Sequence, residues 1–161
     1  MTRVPPRRKS LLLAGVMLLC LTGCGLDSEG QATDAAAEAV RSRAALARDT
    51  AAAVLADPNI EAQTADQQLA ALATAASASD RAGILFGQRV GRDGRLEVDV
   101  AYDGTGHGGG FVAAEVHVRL CVRLSGLVGK DPHVDMVDIA CGSELDERPG
   151  AQPDQIVGLR G

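Results

Sequence analysis

The chain has no tryptophan, one tyrosine and two phenylalanines in 161 residues. Sugar rings and nucleobases are commonly gripped on exposed aromatic faces. With only Phe86, Tyr102 and Phe111 to offer, strong glycan or single-stranded nucleic-acid binding is disfavoured. Long apolar runs are missing too. The longest, from Ser10 to Cys20, spans 11 residues, whereas a membrane-crossing helix needs about 20. Basic clusters are absent after residue 24, where 12 lysines and arginines face 21 aspartates and glutamates for a net charge of −9. A surface of that sign repels nucleic acid and anionic headgroups.

Recognisable catalytic motifs are also lacking. None of Ser28, Ser42, Ser77, Ser79, Ser125 or Ser143 stands in a Gly-x-Ser-x-Gly elbow or a Ser-x-x-Lys pair. The stretch Gly104 to Gly110 lacks the Lys-Ser/Thr pair of a phosphate loop and leads into no helix, so it reads as a flexible hairpin loop. His107, His117 and His133 are expected to be solvated and kept apart by the strand between the two loops, giving no shared metal site. The pairs Asp99 with Asp103 and Asp135 with Asp138 read as solvated or turn carboxylates. No cofactor is expected.

The N-terminus is where the sequence is specific. Arg3, Arg7, Arg8 and Lys9 precede the short apolar run, the layout of an export signal. Leu21-Thr22-Gly23-Cys24 follows, an aliphatic residue and two small ones before a cysteine. This segment resembles the lipobox of bacterial lipoproteins. The resemblance implies cleavage before Cys24, a diacylglycerol on its thiol, and a mature chain held on the extracytoplasmic side of the cell membrane. Two acyl chains anchor stably where one binds reversibly.

Export delivers Cys121 and Cys141 to an oxidising compartment, where a disulfide is expected. If Val128 pairs with Val134 across the Gly129 to His133 turn, the same antiparallel register sets Cys121 directly opposite Cys141.

The mature chain divides by period. Residues 24–32 are small and polar and read as a lipidated tether. Residues 33–80 carry two alanine-rich helices, the first capped at Thr33 or Asp34 with Val40, Ala47, Ala51, Val54 and Leu55 on one side. The second starts at Thr64, whose spacing to Gln67 fits a capping box. A disordered alanine-rich stalk is the alternative for the first helix.

Over 81–145 the pattern alternates, with Ile84, Phe86 and Val90, then Leu96, Val98, Val100 and Tyr102, then Val116, Val118, Leu120, Val122 and Leu124 on the inward parity. The expectation is an α+β domain in two layers, the helices packed on a four-stranded antiparallel meander, with 146–161 as a C-terminal tail. The element order is similar to small envelope lipoproteins of the BamE and beta-lactamase-inhibitor-like types, a likeness of fold alone.

On the outer face of that sheet the same register leaves Arg119, Arg123, Val137 and Ile139, a mixture suited to an interface. The C-terminal segment from Glu144 to Gly161 folding back over Val137 and Ile139 is the competing expectation. Taken together, the sequence points to a membrane-anchored, non-catalytic module that contacts an envelope protein. Its alternatives are a carrier of an apolar ligand between helices and sheet, or an envelope enzyme with unrecognised residues.

Overall fold

The computed structural model describes residues 27–78, 82–110, 112–129, 132–146 and 152–160. The chain has an α+β fold in which helices cover one face of a five-stranded, mostly antiparallel sheet.

Helix α1 (Ser28–Leu55) starts five residues earlier than Thr33, so much of the expected tether is helical. Asp27 causes the early start. Its carboxylate accepts from the Gly30 amide at 2.9 Å, and Glu29 adds negative charge in the first turn, where the helix dipole favours it. Ala32, Ala36, Val40, Ala44, Ala47, Ala51 and Leu55 then recur every three or four positions and are fully buried. The helix is a packed layer and not a stalk.

The one-turn helix α2 (Pro58–Glu61) follows, and α3 (Ala65–Ser77) is capped by Thr64 in a complete capping box with Gln67. Leu69, Leu72 and Ala76 of α3 enter the same core.

Strands β1 (Gly83–Val90), β2 (Leu96–Gly108), β3 (Ala114–Gly126) and β4 (Asp135–Asp138) pair antiparallel in chain order. A fifth strand, β5 (Gln155–Ile156), pairs parallel with Val118 and Arg119 of β3. It lies on the same flank of β3 as β4, which takes Val122 to Ser125. The stretch expected to be a tail is thus part of the sheet, and its Val157 and Leu159 pack on the main core. Two arginines of α1 fasten the layers. Arg41 Nε donates to the Gly158 carbonyl at 2.9 Å, and Arg43 Nη1 to the Asp103 carbonyl at 2.7 Å.

The even positions of β2 and β3 face the helices as expected. Tyr102, fully buried there, donates its hydroxyl to the Ala76 carbonyl at 2.9 Å and ties β2 to α3. Tyr102→Phe strands that carbonyl and should remove about 1 kcal/mol, read as a melting temperature lower by a few degrees.

Strand β1 corrects the expected parity. Its register shifts between Leu85 and Gly87, a bulge centred on Phe86. Leu85 consequently joins the helix-covered core, while Ile84 and Phe86 turn to the opposite face.

The glycine stretch is a second correction. Gly104, Gly106 and Gly108 belong to β2 and lie against α1, not in a loop. A Cβ on Gly106 would fall 1.9 Å from the Ala32 carbonyl oxygen, and one on Gly108 would fall 1.6 Å from that of Ser28. The helix backbone rests where side chains would otherwise stand. Alanines on one surface and alternate glycines on the other permit that approach, so close dispersion contact replaces the area that larger side chains would bury.

Candidate functional site on the outer face of the sheet

The face away from the helices is built from directly opposed pairs of β2 and β3. Asp99 lies across from Arg123, Asp103 from Arg119, Thr105 from His117 and His107 from Glu115, with Ala101 and Cys121 in the middle. Arg119 grips Asp103 through two bonds of 2.6 and 2.9 Å, and Arg123 grips Asp99 through two of 2.6 and 3.0 Å. Such forked pairs between fixed strands lose less side-chain entropy than ordinary surface ion pairs. The hydrogen bonds that Arg119 and Arg123 donate to Asp103 and Asp99 raise their pKa above the ordinary guanidinium value, against the opposing pull of burial.

The candidate interface residues therefore fare differently. Arg119 is 1 % exposed, with β5 alongside and Asp146 3.6 Å from Nη1, so it is not presented for binding. Arg123 is partly exposed but committed to Asp99, with Glu97 3.6 Å away. Ile139 is half-buried, packed with Ile84, Phe86 and Cys141 around Ala101, Cys121 and Leu145. Val137 remains 50 % exposed. The C-terminal segment does fold back, through Leu145 of the 3-10 turn Ser143–Leu145, but it covers the neighbourhood of Ile139 and leaves Val137 open.

Ile156, 66 % exposed on β5 opposite Arg119, is the exposed aliphatic that pattern reading missed. A two-residue strand carries no periodicity of its own.

Cys121 and Cys141 form the disulfide, with Cα atoms 5.4 Å apart. The path to it differs from the expected register. Arg123 pairs with Val137 and Ser125 with Asp135, two positions out from the Val128–Val134 scheme. That places Cys121 beside Ile139, whose amide donates to the Cys121 carbonyl at 3.1 Å. Cys141 reaches the bond from beyond the end of β4. The cause lies in the turn. The Gly129 amide bonds to the Leu55 carbonyl at the end of α1, which draws the connection off the ladder and lengthens it. Because the slip is two residues, every side chain keeps its face.

Two histidines expected to be separate are brought to one carboxylate. Extension of β2 through Gly108 puts His107 in the strand, and Glu115 lies 3.6 Å from His107 and 3.2 Å from His117. His117 Nδ1 in turn meets the Thr105 hydroxyl at 2.9 Å. His133 stands apart, 3.0 Å from Asp135. Among the described residues no group of three His, Cys, Asp or Glu side chains has metal-binding geometry.

Hydroxyl, imidazole and carboxylate in series is the order used in nucleophilic catalysis, which also needs donors for a developing oxyanion. The guanidinium beside Thr105 belongs to Arg119 and is already forked onto Asp103. The quartet is also open to water, with His117 53 % and Glu115 55 % exposed. A cavity of about 370 Å³ next to it is walled by Arg43, Asp103, Thr105, His117, Val118 and Arg119, a lining of mixed polarity.

No protein-family model, curated protein or solved structure matches the chain. The leader and Cys24 lie outside the described residues.

Proposed function

We propose that this chain is a bacterial lipoprotein whose mature part is a non-catalytic protein-interaction module, anchored through Cys24 on the extracytoplasmic side of the cell membrane. The observation that carries the reading is the spacing of two signals. The lipobox Leu21-Thr22-Gly23-Cys24 closes a basic and apolar leader, and the capping residue Asp27 follows three positions later. Three residues reach at most about 11 Å, so a lipid on Cys24 would hold α1, and the core packed on it, against the membrane. Such a short attachment suits a protein that works on neighbours at the membrane surface.

For partner contact, Val137 and Ile156 are, among the described residues, the exposed aliphatics of the outer face, on strands beside the paired Arg119 and Arg123. Exposed aliphatics beside fixed charge pairs are suited to an interface, with the arginines setting electrostatic character from beneath. The carrier reading has less support, since the glycine–alanine contact leaves little room between α1 and β2.

The experiment has two arms. Protein recovered from native membranes should have the mass of residues 24–161 plus acyl chains, and Cys24→Ala should leave it unprocessed. Crosslinking in those membranes should capture a discrete partner that is lost in Val137→Asp/Ile156→Asp, while the melting temperature stays within about 2 °C, because exposed positions change stability little. Unprocessed, unlipidated wild-type protein refutes the anchor. Undiminished capture by the folded double variant refutes the surface.

A further inference from the structure

The end of the molecule where α1 begins is also the end where β2 turns into β3. Gly108 lies in backbone contact with Ser28, and it pairs with Ala114 to close the turn. Four positions beyond Gly108 stands Val112, 74 % exposed, the most exposed large aliphatic among the described residues. Ala113 beside it is also exposed, and no ionisable side chain occurs from Gly108 through Ala114. The first ionisable groups are His107 and Glu115, opposite each other at the base of the turn.

We propose that Val112 and Ala113, exposed where β2 gives way to β3, enter the interfacial layer of the bilayer that carries the lipid on Cys24. The inference rests on the anchor reading above and adds to it an orientation. From Asp27 the chain can travel at most about 11 Å to Cys24, and Ser28 touches the strand that leads into the turn. An acylated Cys24 therefore keeps the strand that leads into the β2–β3 turn within about that reach of the lipid.

Chemistry selects lipid over water as the environment of this tip. Burying one valine is worth roughly a tenfold preference. That is too little to hold a free protein on a membrane, yet enough to bias the orientation of one already tethered there. The acidic surface gives no electrostatic attraction to anionic headgroups, so insertion should not require anionic lipid. Glu115 and His107 would sit at headgroup depth, with water still in reach.

The rest of the molecule then extends away from the bilayer. Helix α1 has 28 residues, about 42 Å at the helical rise, and β3 runs the same way. At the far end Leu55 meets Gly126 and Gly129, and Leu127 is 46 % exposed.

Depth-dependent fluorescence quenching tests the orientation. With Cys24 acylated and Cys121 bonded to Cys141, a cysteine introduced as Val112→Cys, Ala113→Cys or Leu127→Cys is the one labelling site. Each full-length, processed protein carries a nitrobenzoxadiazole label in phosphatidylcholine vesicles containing shallow nitroxide lipids. The expected result is quenching at 112 and 113 at least threefold stronger than at 127, unchanged by added phosphatidylglycerol. Vesicle-bound protein with equal quenching at all three sites, or stronger quenching at 127, overturns the inference and leaves the anchor intact. Protein that fails to float with vesicles and lacks acyl mass removes the anchor reading and the orientation with it. Two adjacent label sites keep the test informative should one variant misfold.

Discussion

Gly106→Val should lower the melting temperature by about 10 °C or more, while Gly109→Ala leaves it within about 2 °C, as expected of overpacking against an open surface position. The contrast follows from what a new Cβ meets. At Gly106 it would fall 1.9 Å from the Ala32 carbonyl oxygen and 2.8 Å from the Ala36 amide nitrogen, whereas at Gly109 nothing lies within 4 Å.

Both Gly106 obstacles are helix backbone, which no rotamer change can move. Relief requires lifting α1 off β2, and that loosens the contacts of Ala32, Ala36 and Val40 together. Gly104→Ala should fall between the two, because its nearest obstacle is the Val40 methyl at 2.6 Å, a side chain able to turn. Differential scanning calorimetry of the three variants gives the order. Equal stability of Gly106→Val and wild type would mean that α1 does not lie on the glycines.

The strand glycines Gly104, Gly106 and Gly108 show where sequence reading loses its grip. Alternation identified the inward faces of β2 and β3 because a half-buried strand writes its burial as period two, from Val98 to Tyr102 and from Val116 to Leu124. Glycine adds nothing to such a pattern. It has the same composition signature in a loop as in a strand that a helix approaches closely, and only the tertiary partner distinguishes them. Strand β1 failed for another reason. One bulged residue at Phe86 moves Ile84 and Phe86 to the outer face, and its one local mark is Gly87, an isolated glycine inside a strand pattern that the apolar alternation passes over. Helix α3 was legible because its start is a local hydrogen-bond motif between Thr64 and Gln67.

The candidate interface was legible in parity and not in exposure. Arg119 lies on the outer face as its odd position requires, but parity says nothing about Asp103 across the sheet or β5 beside it. A signal was present in the sequence all the same. In the one register that opposes Asp103 to Arg119, Asp99 is opposed to Arg123, so two carboxylates and two guanidiniums match at once. Complementary charge across a hairpin specifies register, and weighing it would have turned Asp99 and Asp103 from solvated residues into partners.

Removing the disulfide should cost about 3 kcal/mol, the chain-entropy value for a loop of some 20 residues, with 2–5 kcal/mol the usual range. The sequence separation of Cys121 and Cys141 is 20. Here the bond also does something a loop-closure figure omits. Beyond β4 the chain crosses the outer face, and Leu145 is fully buried over Ala101 and Cys121. Among the described residues no α-helix contributes to that small cluster. Its cover is the segment that Cys141 fastens down, so bond and cover are expected to depend on each other. In the oxidised protein Leu145→Ala should cost about 2–5 kcal/mol, as for other buried leucines. In the Cys121→Ala/Cys141→Ala background the same substitution should cost less than half as much, because the segment is then already partly detached. Denaturant unfolding of the four proteins closes a double-mutant cycle, and a coupling of at least about 1 kcal/mol is the expected result for groups that act through one cover. Additive losses would show that Leu145 holds its place without the disulfide, and that the bond serves only to restrict the unfolded chain.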